Sequence, residues 1–196
     1  MKEMKVKVTF FEELLGTASG DEDIYRSYIA SNAPDAKTRE QEVEDLGVEG
    51  VVEKGMTVFP KQDGAPFIYD YQVKGFFKNS CGVLRKVPNS QSSKIKAYKK
   101  EIDGLVFVKE RKIPLHMPKP IGVCQRPLRA QTAQGERIAL SISEAAPEGT
   151  VIEFTIQTLT DGLMDAVKEW LDYGQLNGIG QWHNSGKGRF NWEVVE

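Results

Sequence analysis

The chain has 196 residues, 40% hydrophobic and 28% charged, so it reads as one ordinary globular domain; no apolar run approaches the roughly 18 residues of a membrane span. The net charge of −2 conceals an uneven distribution: residues 1–73 hold 8 Lys/Arg against 15 Asp/Glu, residues 74–137 hold 15 against 4, and residues 138–196 hold 3 against 9. Net charge excludes nothing here, but a central block this basic is a candidate footprint for a polyanion.

Met4–Phe11 alternates Val6, Val8 and Phe10 with Lys5, Lys7 and Thr9, which predicts a half-buried first strand ended by Leu14-Leu15-Gly16-Thr17. The opening Met1–Val8 carries charge into its apolar positions and lacks a signal-peptide core. Asp21–Ser31 reads as a helix, and Asp35 caps a second, polar one running to Leu46, so 21–55 is predicted to be an acidic helical insertion. Met56–Pro60 and Phe67–Tyr71 are short strand candidates about a Gln62-Asp63-Gly64 turn.

From Val73 to Arg85 a helix places Phe76, Phe77, Cys81 and Leu84 on one face, with Lys78 and Arg85 elsewhere. A basic helix over Lys94–Ile102, a strand over Leu105–Lys109 and an extended or looped Ile113–Pro120 follow. Gln125–Arg137 is polar, carries Arg126, Arg129 and Arg137, and reads as a loop or edge hairpin within a basic insertion over 88–137; Ile138–Ser143 is its outgoing strand. Thr150–Leu159 is a buried strand, Asp161 caps a helix with Leu163, Val167, Trp170 and Leu171 inward, and Arg189–Val195 closes the chain. Strands and helices interleave around what is predicted to be one antiparallel sheet, an α+β fold of the ferredoxin-like or RRM-like type with helices on one face.

Between the last helix and the last strand lies the stretch with most chemistry, Gly178–Phe190. Four glycines, Gly178, Gly180, Gly186 and Gly188, share it with Trp182, His183, Lys187 and Arg189. The plainer reading is a helix end followed by a hairpin turn. The functional reading is a close-approach loop whose backbone N–H groups face phosphate oxygens, with Lys187 and Arg189 adding charge. It is neither a Walker nor a dinucleotide pattern, because it follows a helix instead of opening one. Trp182 and Tyr98 are candidates for stacking on bases.

Metal chemistry has little to draw on. Cys81 and Cys124 have no CxxC or CxxxH spacing and His116 and His183 are the only histidines, which argues against a zinc site and fits a reducing cytoplasm; no cofactor is expected.

Three stretches together resemble the RAMP superfamily, which supplies backbone and RNA-processing subunits to CRISPR effectors. Val73-Lys74-Gly75-Phe76-Phe77-Lys78 is similar to that family's Lys-Gly helix start, 178–190 to its C-terminal glycine-rich loop, and the first strand running into Leu15-Gly16-Thr17 to its opening. The whole chain also resembles proteins carried by phages and prophages with no neighbouring CRISPR subunits. The resemblance implies an RRM-like core holding single-stranded RNA, or single-stranded DNA, through backbone contacts. Lys74 and Lys78 would meet phosphates at a helix start, and the four glycines would form the close-approach loop. Two departures stand out: His183 occupies the place before the loop serine where a second Arg or Lys is common, and of the family's long thumb hairpin only Gln125–Arg137 offers a trace.

The expected function is therefore a non-catalytic nucleic-acid binder using Lys74, Lys78, Arg85, Arg126, Arg129, Arg137, Trp182, His183, Lys187, Arg189 and the loop glycines. The alternative is a phage factor that contacts a host defence or replication complex through its acidic blocks. The third reading is a metal-independent endoribonuclease with His183 as acid or base and Lys187 stabilising phosphate charge.

Overall fold

A computed structural model of the chain describes residues 1–20, 55–132 and 135–195, with side chains described outside 128–132 and 136–139. The two helices expected within 21–55 lie outside the described residues.

The first strand, β1 (Lys2–Phe10), shows the alternation its sequence carries: Met4, Val6, Val8 and Phe10 are buried and the residues between them are not. It lies between β11 (Val151–Thr158) and β12 (Phe190–Val194), antiparallel to both, with Val6 opposite Phe154 and Phe10 opposite Phe190. A short β7 (Val106–Val108) joins the outer side of β11, giving the order β12-β1-β11-β7. The basic central segment thus contributes a strand to the main sheet.

Three helices are described. α1 (Asp70–Leu84) buries Val73, Phe76, Phe77, Ser80 and Cys81, and α3 (Asp161–Tyr173) buries Leu163, Met164, Ala166, Val167, Trp170 and Leu171. Both pack with α2 (Tyr98–Leu105) into one cluster with the inward side chains of the sheet. Phe76 meets Phe190 at 5.3 Å between ring centroids, and Phe77 meets Trp170 at 5.5 Å. Trp170 is fully enclosed, its Nε1–H donating to Ser92 Oγ at 2.9 Å. Ser92 Oγ in turn donates to Glu169, which also accepts the amides of Gln91 and Ser92, so the polar 86–97 connection is tied to α3 through one carboxylate. This is the ferredoxin-like, RRM-like α+β arrangement that the sequence predicts.

The strands form more than the single sheet expected. The hairpin of β9 (Gly122–Thr132) and β10 (Gly135–Ala146) carries β2 (Leu14–Leu15) antiparallel against Ala145–Ala146. It also pairs β4 (Thr57–Val58) in parallel at Ser143, and β3 (Ala18–Ser19) pairs β4. Glu144, almost wholly buried, accepts Phe59 N–H and Lys61 Nζ, each at 2.8 Å, and so fixes that junction. A third small sheet holds β5 (Lys61–Gln62), β6 (Ala65–Tyr69) and β8 (Lys112–Pro114). Its turn is the predicted one, with Asp63 and Gly64 at φ 50° and 80°.

Boundaries moved for local reasons. α1 begins at Asp70, ahead of Lys74, because Tyr69 N–H donates to Gln72 Oε1 and satisfies one of the free amides at the helix start. α2 begins at Tyr98 rather than Lys94, where only a single 3₁₀ turn forms, and Asp161 is the first helical residue after Thr160 instead of the cap. Among the described residues no helix is long and apolar enough to cross a membrane.

Cys81 lies on the inner face of α1, and burial pushes its thiol up from the usual range, whereas Cys124 on β9 is partly exposed. The native protein should therefore show one fast thiol with a disulfide reagent and release the second only on unfolding. Loss of the fast phase in Cys124→Ser is the expected result; its loss in Cys81→Ser would contradict the placement of that helix face.

Candidate nucleic-acid interface

The glycine loop is built by backbone packing. The segments Gly178–Gly180 and Gly186–Arg189 lie against each other, with Ile179 N–H donating to Gly188 O at 3.0 Å and Gly188 N–H to Glu13 O at 2.8 Å. A Cβ added at Gly178 would fall well inside 3.0 Å of the Lys187 carbonyl, and one at Gly188 equally close to the Ile179 carbonyl, where Gly188 also has φ 69°. These two glycines are demanded by the chain itself, not by a ligand. Ile179, 5% exposed, anchors the loop in the core.

One side of the loop faces α1 across a groove of about 390 Å³ lined by Thr17, Tyr71, Gln72, Gly75, Phe76, Asn79, Gly178, Ile179, Gly180 and His183. Tyr71 is half exposed and stacks on Tyr69 at 5.1 Å, with the Arg111 guanidinium over both rings. Arg111 also bonds Asp70. Gln72 Nε2 donates to Thr17 Oγ1 at 2.7 Å. His183 Nδ1 sits 2.9 Å from Gly180 O, which places the neutral ring's proton on Nδ1 and leaves Nε2 as an acceptor.

The predicted residues fall into several places. Gly178, Gly180 and His183 reach the groove. Lys74 and Lys78 turn toward α2: Lys74 Nζ donates to Asp103 O at 3.1 Å and lies over the Phe107 ring, while Lys78 Nζ is 2.6 Å from the Asp103 carboxylate. Burial pushes the Lys74 ammonium below its usual range, and the Lys78 hydrogen bond holds Asp103 below its own. Because α1 starts at Asp70, neither lysine stands at a helix start. Arg85 caps the far end of α1, roughly 15 Å along the axis from Gly75, with its guanidinium over Tyr98.

Lys187 Nζ is 2.7 Å from Glu13 and Arg189 Nη2 is 3.2 Å from Glu12, so both loop cations are paired within the chain. The Glu13 hydrogen bond raises the Lys187 ammonium above its ordinary value. On the other side of the loop Arg126, 7% exposed, donates from Nη2 to Gln181 Oε1 at 2.9 Å and lies 4.8 Å from the Trp182 ring centroid. Arg129 and Arg137 occupy the hairpin strands, opposite Ile138 and Ala130, and their side chains lie outside the described ones.

Thr17, Tyr71, Gln72, Asn79 and Arg111 are groove or rim residues that residue-by-residue reading missed. Their signal was a spacing: Tyr71, Gly75 and Asn79 recur every fourth residue, one stripe of a helix that begins before Lys74.

No protein-family model and no curated protein matches the sequence. Solved structures do match, and what they share with the chain is the fold. One is a chain in the cryo-EM structure of the Type III-B Cmr-beta bound to cognate target RNA, at TM-score 0.55 and 13% identity over 100% of this chain. This chain spans 61% of the length of that one. Another is a chain of a Type IV-B CRISPR complex, at TM-score 0.52 and 12% identity, covering 99% of this chain and 90% of that one. At such identities the likeness is one of fold.

Proposed function

We propose that the chain binds single-stranded RNA in the groove between α1 and the glycine loop, and binds it without cutting it. The observation that carries this reading is the groove itself, with glycine backbone on both walls (Gly75 on one, Gly178 and Gly180 on the other) and Tyr71 at its rim. Close backbone approach on two sides suits an unpaired strand. Tyr71 offers a face on which any base stacks. Asn79 and the hydroxyl proton of Thr17, which Gln72 leaves available, supply polar groups that a ribose 2′-OH requires. The fold likeness to a complex solved with target RNA supports the same reading.

One contact favours holding over cleaving: Lys187, the cation suited to a developing phosphate charge, is bonded to Glu13. Retention of intact RNA is the outcome expected on a denaturing gel after binding.

The test is fluorescence anisotropy with labelled single-stranded RNA, single-stranded DNA and duplex DNA across a salt series. Affinity should fall in that order and weaken with salt. Tyr71→Ala should lower RNA affinity by roughly 5- to 150-fold, the equivalent of one lost base stack of about 1–3 kcal/mol. Absence of RNA binding at low salt would sink the reading.

A further inference from the structure

We infer that Arg126 and Trp182 form a closed phosphodiester site, in which the indole covers the guanidinium until a strand's phosphate oxygen takes Nη1 and a base takes the indole's outer face. The inference rests on the single-strand reading above and adds to the groove a second contact point behind the glycine loop.

Arg126 projects from β9, opposite Ser141, and is 7% exposed. Its Nη2 is used by Gln181, but Nη1 is enclosed and meets no acceptor. A guanidinium donor buried without an acceptor is unfavourable, more so because it is charged. The carboxylates of Glu12, Glu13 and Glu144 are engaged elsewhere: Glu13 is held by Lys187, Glu12 by Arg189, and Glu144 by Lys61 and the Phe59 amide. Among the described residues no carboxylate reaches Arg126. The missing partner is an anionic or strongly accepting oxygen.

The cover over Arg126 indicates what kind of molecule brings that oxygen. Trp182 lies against the guanidinium on one face and is 36% exposed, so a planar group can stack on it next to the cation. A planar base beside a phosphate is the chemistry of a nucleotide. Trp182 does not line the groove but sits two residues from Gly180 and one from His183, which do, so a strand that leaves the groove across the loop reaches it.

The loop is hinged for the opening. Gly180 and Gly186 have φ of 87° and 89° and flank Trp182, itself at φ 57°, a conformation unfavourable for so bulky a side chain. The proposed opening is a rotation about these two glycines, which releases Gln181 from Nη2 and keeps the Ile179–Gly188 backbone bond.

The experiment measures anisotropy of a short fluorescein-labelled oligouridine RNA across a salt series with wild type, Tyr71→Ala, Arg126→Gln and Arg126→Lys. In parallel it follows the tryptophan emission that distinguishes wild type from Trp182→Phe. Arg126→Gln is expected to lower affinity about tenfold and to reduce the log–log salt slope by about 0.7, one phosphate contact. Arg126→Lys should keep the slope but lose several-fold in affinity, because an ammonium cannot reproduce the fork. The Trp182 emission should change on RNA addition.

Should Arg126→Gln fail to fold by circular dichroism, Arg126→Lys carries the test, and wild-type affinity in it overturns the inference. Wild-type affinity and slope in a folded Arg126→Gln, with binding still weakened by Tyr71→Ala, overturn the inference and leave the groove reading standing. RNA that fails to bind wild type removes both.

Discussion

Gly188→Ala is expected to lower the melting temperature by roughly 10 °C. The added Cβ would fall well inside 3.0 Å of the Ile179 carbonyl oxygen, a backbone atom with no rotamer to escape into. The residue also stands at φ 69°, where an L side chain is strained by about 1–2 kcal/mol. Overpacking against backbone adds about 1–3 kcal/mol. Relief requires the two loop segments to part, which breaks the Ile179–Gly188 and Gly188–Glu13 backbone bonds and lifts Ile179 from the core. Gly186→Ala is the matched control. It shares the positive φ, at 89°, but its nearest neighbour is the Arg189 side chain at 3.4 Å, an ordinary contact, so only the backbone strain of about 1–2 kcal/mol applies. Thermal unfolding by circular dichroism separates the two; equal shifts would show that the segments are not held by glycine-mediated contact.

The same loop shows what sequence can and cannot convey. A glycine-rich run after a helix was visible at once, as were β1, β11 and α3, because their burial follows periods of 2 and 3.6 residues that the side chains spell out. What the letters could not separate is which glycine serves the chain and which serves a ligand. Gly178 and Gly188 are consumed by each other's backbone, whereas Gly180 opens on the groove. Lys74 and Lys78 illustrate the opposite problem. Their charge suggested phosphate, but Asp103, on α2 and some 25–30 residues onward, captures both, and such a pairing is set by helix packing, not by local sequence.

The second and third sheets were hidden for a related reason. β2, β3, β4 and β5 are two residues each and exist because their neighbours lie alongside, Glu144 and Ser143 being the buried polar groups that fix them. In the sequence Arg126 is one of three hairpin arginines with nothing to set it apart. Its burial beneath Trp182 depends on the fold alone.

Gly75→Phe is expected to abolish RNA binding, by more than about a hundredfold, a loss of over roughly 3 kcal/mol, while leaving the melting temperature within about 2 °C of wild type. Gly75 is an interior residue of the fifteen-residue α1, where glycine is about 1 kcal/mol less favourable than alanine. Nothing among the described residues asks for glycine there: its φ is not positive, and a Cβ built on it meets none of their atoms within 4 Å. That open space is the groove, so a side chain at 75 grows into it without disturbing the core. Phenylalanine recovers part of the helix propensity lost to glycine and occupies the wall opposite Gly178 and Gly180. Gly75→Ala provides the graded comparison, slightly more stable than wild type and weakened less than tenfold, since one methyl narrows the groove without closing it. Anisotropy with labelled RNA and a melting curve on each variant make the test. A Gly75→Phe protein that folds and binds as wild type does would mean that the strand does not pass between α1 and the glycine loop. Loss of binding without loss of stability would account for a glycine that the helix itself has no use for.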